Sequence, residues 1–165
     1  MINIQSGTKI IFFIISRTFF NKKVYLCAQN DYNKIVFMTK IGLLSDIHAW
    51  WDDRYLTHFK ECDEIWLCGD VVDESICDRL EATGKVCRVV WGNADPHSMH
   101  LRYPKDLRFT LEGVSVWMTH IGGYPGKWPR ELYSRLQSNP PMLFVCGHSH
   151  ILKVQYDPIW KMLNL

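Results

Sequence analysis

Residues Lys40–His48 read KIGLLSDIH, an apolar run that stops at Leu44 and opens at once into Ser45-Asp46-Ile47-His48. An apolar run of this length bounded by polar residues is strand-like, and open α/β sheets bind their ligands beyond the carboxyl ends of their strands. The same design recurs along the chain. Glu64–Leu67 leads into Gly69-Asp70, Lys85–Val90 into Gly92-Asn93, Val114–Thr119 into His120, and Met142–Cys146 into Gly147-His148-Ser149-His150. Five predicted strands thus end in Asp, Asn or His, and their loops can converge on one point. Glycine ahead of Asp70, Asn93 and His148 lets the backbone turn sharply and lets neighbouring loops approach closely.

Helical spacing falls between these runs. Asp53–Cys62 and Glu74–Ala82 read as helices, the second ended by Gly84 and capped in front by Asp73, whose carboxylate would meet free backbone N–H groups. The resulting β-α-β order implies parallel strands. A looser stretch with Pro96 and Pro104 follows, then a hairpin of Arg108–Leu111 and Val114–Thr119 around Glu112-Gly113, a helix near Pro129–Gln137, and strands at Met142–Cys146 and Ile151–Tyr156. The expected architecture is α/β, with two packed sheets flanked by helices. There is no internal repeat, low-complexity linker or second domain.

At 165 residues, 47% hydrophobic and 22% charged, the chain suits one ordinary globular domain. Of the formal +2 charge, residues 1–37 contribute +4 (five basic side chains against Asp31), which leaves −2 on the rest. A mildly acidic body without a Lys/Arg stripe has no footprint for duplex nucleic acid, so small substrates are expected. The six cysteines form no CxxC pair or disulfide framework and read as reduced and cytoplasmic. Cys68 and Cys146 are expected to be small buried hydrophobes.

Residues 1–37 form an extension distinct from the domain at 38–165. The run Ile10–Ile15 is too short to span a membrane, and nothing resembling a signal-peptide cleavage site follows it. Of these 37 residues, 22 are Ile, Phe, Asn, Lys or Tyr, a bias expected of translated AT-rich upstream DNA, which would make Met38 the natural start. The rival reading is an extra β-hairpin with strands at Lys22–Leu26 and Lys34–Met38.

Imidazoles with carboxylates and an amide oxygen suit borderline divalent ions such as manganese, iron, zinc or nickel, whereas calcium prefers an all-oxygen shell. Each motif alone also has a structural reading. Asp-x-His occurs by chance, Asp70 could cap a loop, and Gly-Asn is a frequent turn. Their combination, each at a strand end, favours a metal site over coincidence.

The series Asp46-x-His48, Gly69-Asp70, Gly92-Asn93, His120 and Gly147-His148-Ser149-His150 resembles the calcineurin-like metallophosphoesterases, especially their small single-domain bacterial and archaeal phosphodiesterases, from Met38 to the C-terminus. The resemblance implies a two-sheet β-sandwich flanked by helices. It places one metal on Asp46, His48, Asp70 and His150 and a second on Asp70, Asn93, His120 and His148, with Asp70 bridging and with Asp70, Asn93 and His120 at the chemistry. Two divalent ions are implied, manganese by family habit with iron, nickel and zinc as alternatives. They would activate a bridging hydroxide against a small, nucleotide-like phosphodiester. Trp50 and Tyr124 are candidate substrate contacts, since both follow predicted ligands and could stack on a base; core packing is the rival role for Trp50 and Trp51. No membrane partner is expected, and a homo-oligomer is compatible with the reading.

Two departures from that family stand out. Many relatives carry Gly-Asn-His-Asp or Gly-Asn-His-Glu, whose histidine contacts phosphate and protonates the leaving group, but here Ala94 replaces it. His97 is either its substitute or a surface histidine. Relatives also continue past the strand near Ile159–Leu163 into Asn-Pro-Gly and a closing strand, so the domain reads as C-terminally truncated. The competing expectation is a catalytically weak or inactive scaffold on the same fold, as in the eukaryotic retromer subunit. A single structural zinc is disfavoured, because seven donors exceed a closed tetrahedral set.

Overall fold

A computed structural model describes residues 2–3, 9–16 and 38–165. Two five-stranded sheets pack face to face. The first contains β1 (Ile2–Asn3), β2 (Lys9–Ser16), β3 (Met38–Ser45), β4 (Glu64–Cys68) and β5 (Val86–Val90) in that spatial order. β3, β4 and β5 run parallel, as the β-α-β order predicts. Between them lie α1 (Arg54–His58) and α2 (Glu74–Glu81), and α3 (His97–Arg102) follows β5.

The second sheet holds β6 (Asp106–Leu111), β7 (Val114–Thr119), β8 (Leu143–Val145), β9 (Gln155–Asp157) and β10 (Met162–Asn164). Its spatial order is β6-β7-β8-β10-β9, and α4 (Arg130–Ser138) connects β7 to β8. Glu112 (φ 49°) and Gly113 (φ 77°) make the β6–β7 turn, two successive left-handed residues of the kind that match strand twist in a tight hairpin.

Strand alternation sorts the side chains into layers. Ile65 and Leu67 face the helices with Tyr55, Phe59, Ile76 and Leu80, while their neighbours Trp66 and Cys68 face the second sheet with Val116, Met118 and Val145. Trp117 and Phe144 point outward from the second sheet against Leu132 and Leu136 of α4. The layers therefore run helix, sheet, sheet, helix. Among the described residues, no helix is long and apolar enough to cross a membrane.

Local pattern and structure diverge in three places. The stretch around Pro96 contains a helix, α3, of six residues. So short a helix is marginal alone. Tertiary contacts hold it: Met99 is fully buried, and Arg102 donates hydrogen bonds to Glu74 and Asp78 and to Glu81, all on α2. The predicted helix Asp53–Cys62 is helical only over Arg54–His58. Of the predicted strand Ile151–Tyr156, only Gln155 and Tyr156 pair, in a β9 that runs on to Asp157; β10 rather than β9 lies beside β8, and residues 151–154 form a loop.

In the N-terminal segment, β2 pairs antiparallel with β3 over eight residues, Lys9 opposite Ser45 through Ser16 opposite Met38. The strand-like segments Lys22–Leu26 and residues 34–37 lie outside the described residues. None of the five described cysteines forms a disulfide. Burial pushes the Cys77 thiol up to about 12 and the Cys87 thiol up to about 11, so both are protonated and poor nucleophiles.

Candidate metal centre

All five predicted loops leave the carboxyl ends of β3, β4, β5, β7 and β8, and hydrogen bonds hold them together after the strands have ended. Asp46 N donates to Gly69 O (3.1 Å), His48 N to Asp70 O (3.0 Å) and Ala49 N to Val71 O (2.8 Å), which extends the β3–β4 contact into the loops. Within the second sheet Gly147 N donates to His120 O (3.0 Å), within the first Ser45 Oγ donates to Cys68 O (3.0 Å), and His148 N donates across the sandwich to Asp46 Oδ1 (2.9 Å).

These loops are strained. Asp46 (φ 56°), His48 (φ 45°), Asp70 (φ 52°), His148 (φ 66°) and His150 (φ 53°) all occupy the left-handed region. Each such residue costs roughly 1–3 kcal/mol and persists only where its surroundings over-determine it. Among the described residues nine non-glycine positions share this conformation, so five of the seven predicted ligands account for more than half. Gly92 answers a different demand. A Cβ there would collide with Asp70 Oδ1 and with the His120 ring, so only glycine lets the β5 loop close over those side chains.

The structure gathers six of the seven predicted ligands into two donor groups. Asp46, His48 and His150 form one; Asp70, His120 and His148 form the other; within each, the available donor atoms lie within 4.8 Å of one another. In the first, the Nε2 atoms of His48 and His150 are 3.4 Å apart, and His150 Nε2 is 3.6 Å from Asp46 Oδ1. In the second, His120 Nε2 lies 3.2 Å from Asp70 Oδ2. That same carboxylate oxygen is 4.0 Å from His48 Nε2 and so stands between the groups. Asn93, the seventh predicted ligand, is exposed in the β5–α3 loop next to Gly92.

Several side chains are prepared for a cation. His120 Nδ1 sits 2.8 Å from the carbonyl oxygen of Cys68, which can only accept. The proton must therefore be on Nδ1, leaving an Nε2 lone pair for a metal. His120 Nε2 is buried with no hydrogen-bond partner; its 3.2 Å approach to Asp70 Oδ2 joins two lone-pair atoms, so it is a ligand-to-ligand distance rather than a hydrogen bond. Asp46 Oδ2 is likewise buried and unpartnered, while its Oδ1 accepts from His148 N (2.9 Å). Orphaned buried donors and acceptors are costly in a folded protein. A divalent ion in each donor group would satisfy them, one at Asp46 and one at His120, and the mixed imidazole and carboxylate set fits borderline metals.

The other candidates separate. Trp51 packs against the helix-side core and meets Tyr55 edge-on, whereas Trp50 is 46% exposed. Tyr124 lines a cavity of about 340 Å³ with Ser149, the residue between His148 and His150, and Lys153 Nζ stands 3.8 Å above its ring. His97 is exposed at the start of α3. Asp73 caps α2, accepting from Ser75 N (2.9 Å). Sequence reasoning missed Asp95, which is buried between the β4 and β5 loops and accepts backbone hydrogen bonds from both. Its signal was available: Asp95 follows Gly92-Asn93-Ala94 in the β5 loop, where the Gly-Asn-His-Asp pattern has its acidic residue and where such side chains tie down loop N–H groups.

The family model for the calcineurin-like phosphoesterase superfamily domain matches residues 39–165. The chain belongs to the calcineurin-like phosphoesterases. Among solved structures, a Thermotoga maritima protein is 28% identical with a TM-score of 0.60, covering 76% of this chain and 83% of that one. The Escherichia coli phosphoesterase YfcE is 19% identical with a TM-score of 0.56, covering 75% and 76%. Vacuolar protein sorting 29 of Entamoeba histolytica, solved in complex with zinc, is 17% identical with a TM-score of 0.57, covering 75% and 71%. No curated protein matches the chain by sequence. The family and the paired donor groups together support a metal-dependent phosphoesterase.

Proposed function

We propose that the chain is a two-metal hydrolase of small phosphodiesters. The carrying observation is Asp70 Oδ2, which faces His120 Nε2 at 3.2 Å on one side and His48 Nε2 at 4.0 Å on the other. One metal would rest on Asp46, His48, Asp70 and His150, the other on Asp70, Asn93, His120 and His148. A pair of divalent cations held there supplies Lewis acidity, lowering the pKa of a shared water and neutralising phosphoryl charge during in-line displacement. The protein residues position rather than attack. Asp70 orients one oxygen toward both donor groups, because its Oδ1 is already taken by Ala94 N (2.8 Å). His120 keeps its Nε2 lone pair through the bond from Nδ1 to Cys68.

Ala94 has no proton to offer a leaving group, so good leaving groups should be favoured over alkoxides. The cavity beside Ser149, with the Tyr124 ring on its wall, would take a planar leaving group such as a nucleobase or an aryl ring. Manganese is the first metal to test, ahead of iron, nickel and zinc, and the proposed setting is the cytoplasm.

The test is a metal count on the purified full-length chain, followed by turnover of bis-aryl and mono-aryl phosphates with added manganese. The expected result is two metals per chain and faster hydrolysis of the diester. Two metals with no turnover would favour a second reading, a scaffold on the same fold, for which the replacement of the usual histidine by Ala94 is the supporting observation.

A further inference from the structure

Asp95 is 6% exposed, and its carboxylate accepts three main-chain N–H groups. Oδ2 takes those of Asp70 (3.1 Å) and Gly92 (2.7 Å), and Oδ1 takes that of Val72 (2.6 Å). Two of the three donors are in the left-handed region, Asp70 at φ 52° and Val72 at φ 71°. Such a conformation is especially unfavourable for a β-branched residue. Ala94 N, in the same loop as Asp95, meanwhile binds Asp70 Oδ1 (2.8 Å). Residues 92–95 therefore fix Asp70 twice, by its main chain and by one carboxylate oxygen. Its other oxygen is left with a single direction, toward His120 and His48.

We infer that Asp95 is a positioning residue for the metal centre: through the N–H groups of Asp70, Val72 and Gly92 it sets the direction of Asp70 Oδ2 and hence the affinity for divalent metal. This rests on the two-metal reading above. Asparagine cannot replace it. With the amide oxygen toward Asp70 and Gly92, the amide NH₂ confronts Val72 N–H; flipped, it confronts the other two donors. Either way a buried N–H loses its acceptor, and a negative charge close behind the site is lost.

The experiment titrates the full-length chain with Co²⁺, following its visible absorption, in wild type, Asp95→Asn and Asp95→Asn with Val72→Gly. Asp95→Asn is expected to weaken metal binding about 10–100-fold, the range for residues that orient metal ligands, and to change the band shape at saturation. Val72→Gly removes the left-handed penalty at that position and is expected to recover melting temperature without recovering metal affinity. If Asp95→Asn binds cobalt like wild type, or if affinity returns together with thermal stability in the double variant, Asp95 serves the fold alone and the inference fails. A wild-type chain that takes up no cobalt overturns the two-metal reading itself, and this inference with it.

Discussion

The two rims of the strand-end cleft are built differently. On the inner side, Asp46 and Asp70 are buried, their backbones are held in left-handed conformations, and carboxylate oxygens accept hydrogen bonds from Ala94 N and His148 N. On the outer side, Trp50 and Ala94 are exposed, and Tyr124 lies in a turn closed by two hydrogen bonds to Lys127. A site for cations demands fixed lone pairs, because coordination geometry tolerates little error. A site for substrate tolerates variation on loops, and the departure from the usual family pattern, Ala94, falls there.

The sharpest way to break the contrast is Asp70→Ala. It removes the oxygen shared by the two donor groups, and kcat on a bis-aryl phosphate is expected to fall by at least about 10²–10³-fold. Retained activity in steady-state assays would rule out a bridging role. Next in size is Ala94→His, which puts an acid where many relatives have one. It keeps the Ala94 N–H bond to Asp70 and is expected to raise kcat on a poor alkyl leaving group about tenfold or more, a modest share of the range for general acid catalysis. An unchanged rate there would mean that the outer rim does not limit turnover. The smallest effect belongs to Tyr124→Ala. Loss of a stacking face is expected to raise KM for an aryl or nucleotide diester roughly five- to tenfold, at the low end of stacking energies, with bound metal and kcat unchanged. A fall in metal content instead would place Tyr124 with the inner rim.

Much of this was legible in the sequence for a simple reason. Strand ends follow from where apolar runs stop, and the candidate donors sit within a few residues of those stops, so Asp46, His48, Asp70, His120, His148 and His150 could be read without knowing how the strands pair. α3 and Asp95 were less legible. Six residues between prolines carry too little helical pattern, and the helix depends on Met99 burial and on Arg102 reaching three carboxylates of α2. Asp95 stands at the acidic position of the Gly-Asn-His-Asp pattern, but what it binds is set only when the β4 and β5 loops are adjacent. β9 was overextended because an apolar stretch such as Ile151–Val154 looks the same whether or not a neighbouring strand is there to pair with it.

By itself the sequence determined the parallel first half, the two-sheet architecture and the candidate donor residues, since these depend on local periodicity and side-chain chemistry. Tertiary structure alone decided how those donors divide into two groups. Asp70 meets both because Asp95, Gly92 and Ala94 close over it from another strand, 22 to 25 residues further along the chain. Direction at that scale is a property of loops pressed together, and no single loop carries it.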